Sequence, residues 1–270
     1  MKKESVVKAE MPEPAVHPTA VVAPSAEIGR GVTVGAYSVI GPHVEIGEDC
    51  FVGSHAVIEG WTRIGPRCQI FQFASVGAAP QDFSYRGEET HLTIGSDNVF
   101  REFVTIHRAT TKADRITVIG SHNYFMAYSH VAHDCRIADH VIMANSVALG
   151  GHILIESHAI IGGLSAIHQF TRVGSYAMIG GGSAVSQDVP PYLSVAGNRA
   201  KPFGLNLVGL RRHGFSEETI AKLKKAYKTV YREGLTLKEA LERIMTEHGD
   251  AAEVRHFVEF VRGSERGICR

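Results

Sequence analysis

An aliphatic or aromatic residue recurs every six positions along most of this chain, and that interval limits its fold more than any other feature. Val16, Val22, Ile28, Val34, Ile40, Ile46, Val52, Ile58, Ile64, Ile70 and Val76 follow one another without a miss. The count resumes at Ile94, Phe100 and Ile106, and again from Ile119 through Val131, Leu149 and Ile167 to Val185. Neither a helix of period 3.6 nor one alternating strand gives an interval of six over such a length. Short parallel strands do, when a tight turn redirects the chain after each. Three hexads then close one eighteen-residue coil, and coils stack at about 4.8 Å, the spacing of paired strands. The first residue of each hexad fills the interior. The fifth, small or branched as in Ala26, Val32, Ser38 and Cys50, fits beside it, and Gly or Ala often stands second, where bulk would crowd a corner. In-register positions this numerous exclude a chance pattern in a β-sandwich.

Two segments interrupt the count, at about 78–93 and 107–118. Loops thrown out of a solenoid lie on one face and commonly serve binding. The repeat ends near Pro190-Pro191, and the spacing then turns helical. Ser216 caps a helix through Ile220 and Tyr231, stopped by Gly234. Thr236 with Glu239 forms a capping box for a second, stopped by Gly249, and Asp250 with Glu253 starts a third through Val254 and Phe260. The expected division is a parallel β-helix of hexapeptide repeats over residues 14–192 and an α-helical domain over 193–270, capping the open edge of the last coil.

Composition narrows the function classes. Lys plus Arg and Asp plus Glu are both 28, for a net charge of zero, so there is no electrostatic footprint for nucleic acid. Four cysteines in 270 residues make no disulfide framework, and Cys50, Cys68 and Cys135 fall at inward positions of their hexads. Met1-Lys2-Lys3-Glu4-Ser5 lacks the apolar stretch of a signal peptide. No run of eighteen apolar residues predicts a membrane span. A cytoplasmic protein is expected.

The fifteen histidines are read by register. The hexads at 131, 149 and 167 stack on one face of successive coils and carry His133, His152 and His168. If the segment after Ile106 replaces one corner, His107 joins that wall, and His130 stands at its entrance. Asp134, beside His133, is placed to orient it. An imidazole near neutral pH is a ready general base. Backbone N–H groups at a glycine corner, here Gly150 and Gly151, can hold a developing oxyanion. That pairing suits attack of a hydroxyl on a thioester and needs no serine or cysteine nucleophile.

Pro80-Gln81-Asp82, Thr105-Ile106-His107-Arg108, His130-Val131-Ala132-His133-Asp134-Cys135, Ile167-His168-Gln169-Phe170, Gln187-Asp188-Val189-Pro190-Pro191-Tyr192 and Gly197-Asn198 go beyond a generic hexapeptide pattern. With these stretches the chain resembles the UDP-N-acetylglucosamine 3-O-acyltransferases, which open lipid A synthesis, from His17 to Ile268. The resemblance implies a homotrimer of left-handed β-helices with active sites between subunits. It also implies an R-3-hydroxyacyl donor on acyl carrier protein and the 3-hydroxyl of UDP-GlcNAc as acceptor. No resident cofactor is implied, since 4′-phosphopantetheine arrives on the carrier. By the same resemblance His133 is the catalytic base and Gly151 gives the oxyanion N–H. Gln81, Asp82, His130, His152, His168, Gln169, Asn206 and Arg212 bind substrate, and Gly181 limits the depth of the acyl chain. Three positions depart from the family pattern. Ser84 stands where a substrate-binding lysine is common, with Arg86 nearby as a candidate replacement. Val208 replaces a glutamate and His213 an arginine, which brings in a 3-amino UDP-sugar as an alternative acceptor.

Two other classes compete. A zinc lyase of the γ-carbonic anhydrase kind also uses a trimeric β-helix with three histidines on zinc, but here the histidines spread over several coils and no metal is expected. A non-catalytic scaffold has no reason to gather histidines on one wall. A second subunit is expected to close the site, because a corner side chain such as His133 is too exposed to do so alone. Lys201, Arg211, Arg212, Lys224 and Lys225 form a landing surface for acidic carrier protein.

Overall fold

Each hexad becomes a short strand, most often of two residues, and a corner. In the computed structural model, which describes residues 12–270, the strands sort by hexad into three sheets of 11, 9 and 8 strands. Sheet 1 begins at Ala15–Val16, sheet 2 at Val21–Val22 and sheet 3 at Glu27–Ile28. Ala15 pairs with Thr33 and Thr33 with Phe51, an offset of eighteen residues per coil, and the strands run parallel. From Val34 to Val185 the repeating apolar residues form one continuous buried column, in which Phe100 and Phe125 meet edge-on at 5.3 Å. Cys50, Cys68 and Cys135 are buried in it, as their register predicts.

Corners turn through single residues in the left-handed backbone region, among them Tyr37, Asp134, His152 and His158 at φ near +60°. Such residues cost about 1 kcal/mol each except at glycine, with Asn and Asp tolerated best, so the corners persist only because ladder bonds on both sides hold them.

The two interruptions occupy one kind of corner. Gln69 pairs with Val99 and Val99 with Tyr124, offsets of 30 and 25 instead of 18. The surplus forms loops at 79–90 and 108–115, both between a sheet 2 strand and a sheet 3 strand. Both are shorter than the sequence suggests because His91–Ile94 and Ile116–Ile119 lengthen sheet 3 to four paired residues there.

The ladder runs past Pro190-Pro191. Leu193–Ala196 lies parallel on Met178–Ile179 and then pairs antiparallel with Lys201–Leu205; buried Leu193 and Val195 continue the inward column, which outweighs the two prolines. Four helices follow: α1 (Leu207–Arg212), α2 (Glu217–Arg232), α3 (Leu237–His248) and α4 (Ala252–Arg262). Ser216 caps α2, and Thr236 with Glu239 closes the capping box of α3. The sequence reading misses α1, which is too short to show a period, and misplaces the start of α4. Ala251 precedes that helix with no side-chain cap, and Asp250 pairs instead with Lys222 at 2.5 Å. Asp188 ties the cap to the coils. Its buried carboxylate accepts from Arg172 N–H at 2.8 Å and Ser264 Oγ at 2.7 Å.

Candidate active site

Strand pairing places Val131, Leu149 and Ile167 on successive rungs of sheet 2, so the corner that follows each rung repeats at fixed register. Residues 132–135 make one such corner and 150–153 the next, which sets His133 beside Gly151 and Asp134 beside His152. His133 Nδ1 lies 2.8 Å from Asp134 Oδ2. An ionised carboxylate only accepts, so Nδ1 carries the proton and Nε2 keeps a free lone pair. Asp134 also accepts from Thr110 Oγ1 at 2.7 Å and Thr110 N–H at 3.2 Å, and His152 Nε2 stands 3.6 Å away. Burial alone would raise the Asp134 pKa, but hydrogen bonds from His133 and Thr110 hold it below the ordinary carboxylate value. His133 is thus the end of a fixed chain, Thr110 to Asp134 to His133, with its basic nitrogen unspent.

Gly151 is glycine for a steric reason. A Cβ there would lie 2.5 Å from His133 Cε1 and 2.9 Å from Nε2, so the imidazole lies directly across the Gly151 backbone. Among the described residues no hydrogen bond uses the Gly151 N–H. A free lone pair and a free N–H side by side can serve the two ends of an addition to a carbonyl.

Around this pair His130, His152 and His107 are held toward the neutral form. His130 Nδ1 shares a 2.7 Å hydrogen bond with Thr105 Oγ1, and burial lowers its pKa. Burial also lowers His152, against the pull of Asp134. His107, edge-on to His130 at 4.9 Å, is 6% exposed, and its Nδ1 has no partner among the described residues. Burial, then the neighbouring His130 and His133, push its pKa down to about 4. His168 shares the wall but not the cluster. It is exposed and turns Nδ1 to the Gln169 carbonyl at 3.1 Å.

The rest of the expected set lies further off. Asp82, in the loop at 79–90, accepts from Lys112 Nζ at 2.5 Å and from Ser84 Oγ at 2.6 Å; exposed Gln81 is its neighbour. Arg86 donates to the Phe83 and Tyr85 carbonyls and does not reach Asp82. Gly181 sits at the corner between sheets 1 and 2. Asn206 caps α1, accepting from Gly209 N–H and donating to the Tyr176 carbonyl at 3.0 Å. It therefore sits with His213, whose ring meets Tyr176 and His158, at the corner between sheets 3 and 1. Arg212 ends α1 on the same cap.

Two corrections follow. The His133 side chain is only 12% exposed and that of Asp134 2%, with Thr110 of the 108–115 loop bonded to Asp134 and the His133 ring packed on Gly151; exposure of His133 is no argument for a second subunit. Thr110 was missed because a threonine in an irregular loop carries no register, and only the fold reveals its partner. His133, Asp134 and His152 offer donors within 4.8 Å of one another that could hold a metal ion, but the Asp134 oxygens are taken up by Thr110 and His133.

The fold and this site define a hexapeptide-repeat acyltransferase. A family model described as UDP-N-acetylglucosamine O-acyltransferase, domain 2, matches residues 188–269. An acyl-(acyl-carrier-protein)–UDP-N-acetylglucosamine O-acyltransferase of Herminiimonas arsenicoxydans is 49% identical, over 94% of this chain and 99% of its own. One from Thermodesulfovibrio yellowstonii is 52% identical with the same coverages. Among solved structures, LpxA of Acinetobacter baumannii superimposes with a TM-score of 0.93 at 46% identity, over 94% of this chain and 99% of that one. The chain belongs to the acyl-(acyl-carrier-protein)–UDP-N-acetylglucosamine O-acyltransferase family, and its fold is the left-handed parallel β-helix with C-terminal helices expected from sequence.

Gly151→Ala should push the His133 ring off its seat and lower kcat by at least about 10²-fold with the fold retained by circular dichroism; near wild-type turnover would refute the seating. His107 predicts a pH effect on stability. The folded imidazole binds its proton only near pH 4, the unfolded one near 6.5. In that window the unfolded state holds more protons, so stability falls as pH drops from 6.5 to 4, by about 3 kcal/mol for this group. Denaturant titrations across the window should show that slope, reduced in His107→Gln; equal slopes would contradict it.

Proposed function

We propose that this enzyme transfers an R-3-hydroxyacyl group from the phosphopantetheine thioester of acyl carrier protein to the 3-hydroxyl of UDP-GlcNAc. His133 Nε2 takes the hydroxyl proton as the sugar oxygen attacks the thioester carbonyl. The Gly151 N–H donates to the oxyanion. Collapse breaks the carbon–sulfur bond, and the His133 imidazolium returns its proton to the departing sulfur. Asp134 stabilises that imidazolium, and Thr110 holds Asp134 still. The observation that carries the reading is the His133 ring, its Nε2 unspent, packed against Gly151, whose N–H makes no hydrogen bond among the described residues.

The outer face of sheet 2 supports an acyl site. Beyond His130, aligned rungs present Ala148, Ala166 and Ala184, a methyl-sized track between the histidine corner and the corner holding Gly181. The expected substrate set itself supports the homotrimer. His133 stands at the corner of sheets 2 and 3, and Asn206 at the corner of sheets 3 and 1. Within one chain the two stand at different corners of the prism, whereas a ring of copies would set the cap corner of one against the histidine wall of the next. Carrier protein then lands near the cap, with Lys201, Arg212, Lys224 and Lys225 as cations; Arg211 contributes little because Glu217 pairs with it at 2.8 Å. No helix among the described residues is long and apolar enough to cross a membrane, which suits the proposed cytoplasmic setting.

The test is acyl transfer to UDP-GlcNAc and to its 3-amino analogue from a panel of hydroxyacyl carrier proteins. His133→Ala should lose at least about 10²-fold. Co-expressed His133→Ala and Arg212→Ala chains should regain activity that neither has alone, since mixed trimers contain one intact site. Absent complementation would refute the shared site, and transfer only to the amino sugar would move the acceptor.

A further inference from the structure

Both loops that break the hexad count leave the prism at the corner occupied by His133 and His152 one and two coils on, and one side chain joins them. Lys112, in the loop at 108–115, reaches across to Asp82 in the loop at 79–90, with Nζ 2.5 Å from Oδ2. The other Asp82 oxygen accepts from Ser84 N–H at 2.8 Å and Oγ at 2.6 Å, so both carboxylate oxygens are engaged and its direction is set from both sides. The Lys112 backbone is equally fixed, because its N–H donates to Thr110 Oγ1 at 3.2 Å, the hydroxyl that clamps Asp134. The Lys112 backbone N–H is thus joined to the catalytic imidazole by three hydrogen bonds, through Thr110 and Asp134, and the ammonium charge is felt at His152.

Of the other loop cations, Arg108 and Arg86 are committed elsewhere, and Arg115 stands exposed at the far end of the 108–115 loop, next to the sheet 3 strand. Arg108 donates to the Gly77 carbonyl and the Tyr85 hydroxyl, with Trp61 under its guanidinium, and Arg86 serves its own loop's carbonyls. Lys112 uses one of its donors on Asp82 and stays half exposed, with side-chain accessibility of 51% against 12% for Asp82. A buried-side carboxylate holding a half-exposed ammonium by one proton is a mount for a cation, and the two remaining N–H groups are free for an anion.

We propose that Lys112 is a further acceptor-binding cation of this enzyme, donating to a phosphate oxygen of the sugar nucleotide, with Asp82 and Ser84 as its positioning residues. This rests on the proposed sugar-nucleotide acceptor. It assigns the charge missing at Ser84 to the facing loop.

Direct titration of UDP-GlcNAc into the intact protein tests it apart from turnover. Lys112→Gln should weaken binding by at least about tenfold, since a charge-assisted hydrogen bond is lost and Asp82 is left unpaired near the diphosphate. In kinetics the loss should fall on KM for UDP-GlcNAc and leave KM for acyl carrier protein in place. Ser84→Lys added to Lys112→Gln should recover most of the affinity, because it returns an ammonium to Asp82 from Asp82's own loop. A loop latch alone would instead lower the melting temperature, reduce kcat at constant KM, and gain nothing from the relocated lysine. Unchanged binding in Lys112→Gln overturns the assignment while leaving the reaction standing. Absence of UDP-GlcNAc binding by the wild type overturns both. Weakened binding without turnover of any donor keeps Lys112 and overturns the proposed chemistry.

Discussion

Every coil must return its chain to one strand spacing from where it began. That closure, eighteen residues and three corners, is the constraint on which the rest depends. It makes the inward column continuous, so each apolar residue is buried by those above and below. It also makes corners repeat at fixed register, and chemistry is built from that repetition. His133 and Gly151 are neighbours in space because they are eighteen apart in sequence. So are Asp134 and His152. A one-residue slip would turn every inward side chain outward, which the buried column forbids.

On this rigid frame the loops supply what a periodic lattice cannot. A regular corner exposes a histidine to water from several sides. The loop at 108–115 brings Thr110 to Asp134, the partner of His133, and the loop at 79–90 brings Asp82 to Lys112. Both leave from one kind of corner, so they thicken one edge of the prism where the histidines stand. The catalytic arrangement is thus half lattice and half insertion. Lattice register places base and oxyanion donor, and the insertions fix the tautomer and the local charge.

Legibility in the sequence follows the same division. The three-sheet coil, the cysteine core, the wall of His107, His130, His133 and His152, and the caps at Ser216 and Thr236 can be read directly, because each depends on spacing alone. Thr110, Lys112 and the exposed position of His168 cannot, because loop residues and corner rotamers depend on contacts between segments with no common period. Asp250 shows the same limit. Its place before a helical stretch suggests a cap, yet Lys222 on α2 takes its carboxylate. The ladder also passes two prolines that local rules would make its end, since burial of Leu193 and Val195 decides the matter.

The central claim is that Asp134, braced by Thr110, keeps the His133 proton on Nδ1 and leaves Nε2 bare. Nitrogen-15 NMR of histidine-labelled protein, with the His133 signal assigned by its loss in His133→Ala, reads that tautomer directly. The account predicts a protonated Nδ1 and an unprotonated Nε2 at neutral pH, reverting toward the Nε2–H form in Thr110→Val as the Asp134 clamp loosens. A His133 carrying its proton on Nε2 in the wild type would contradict it.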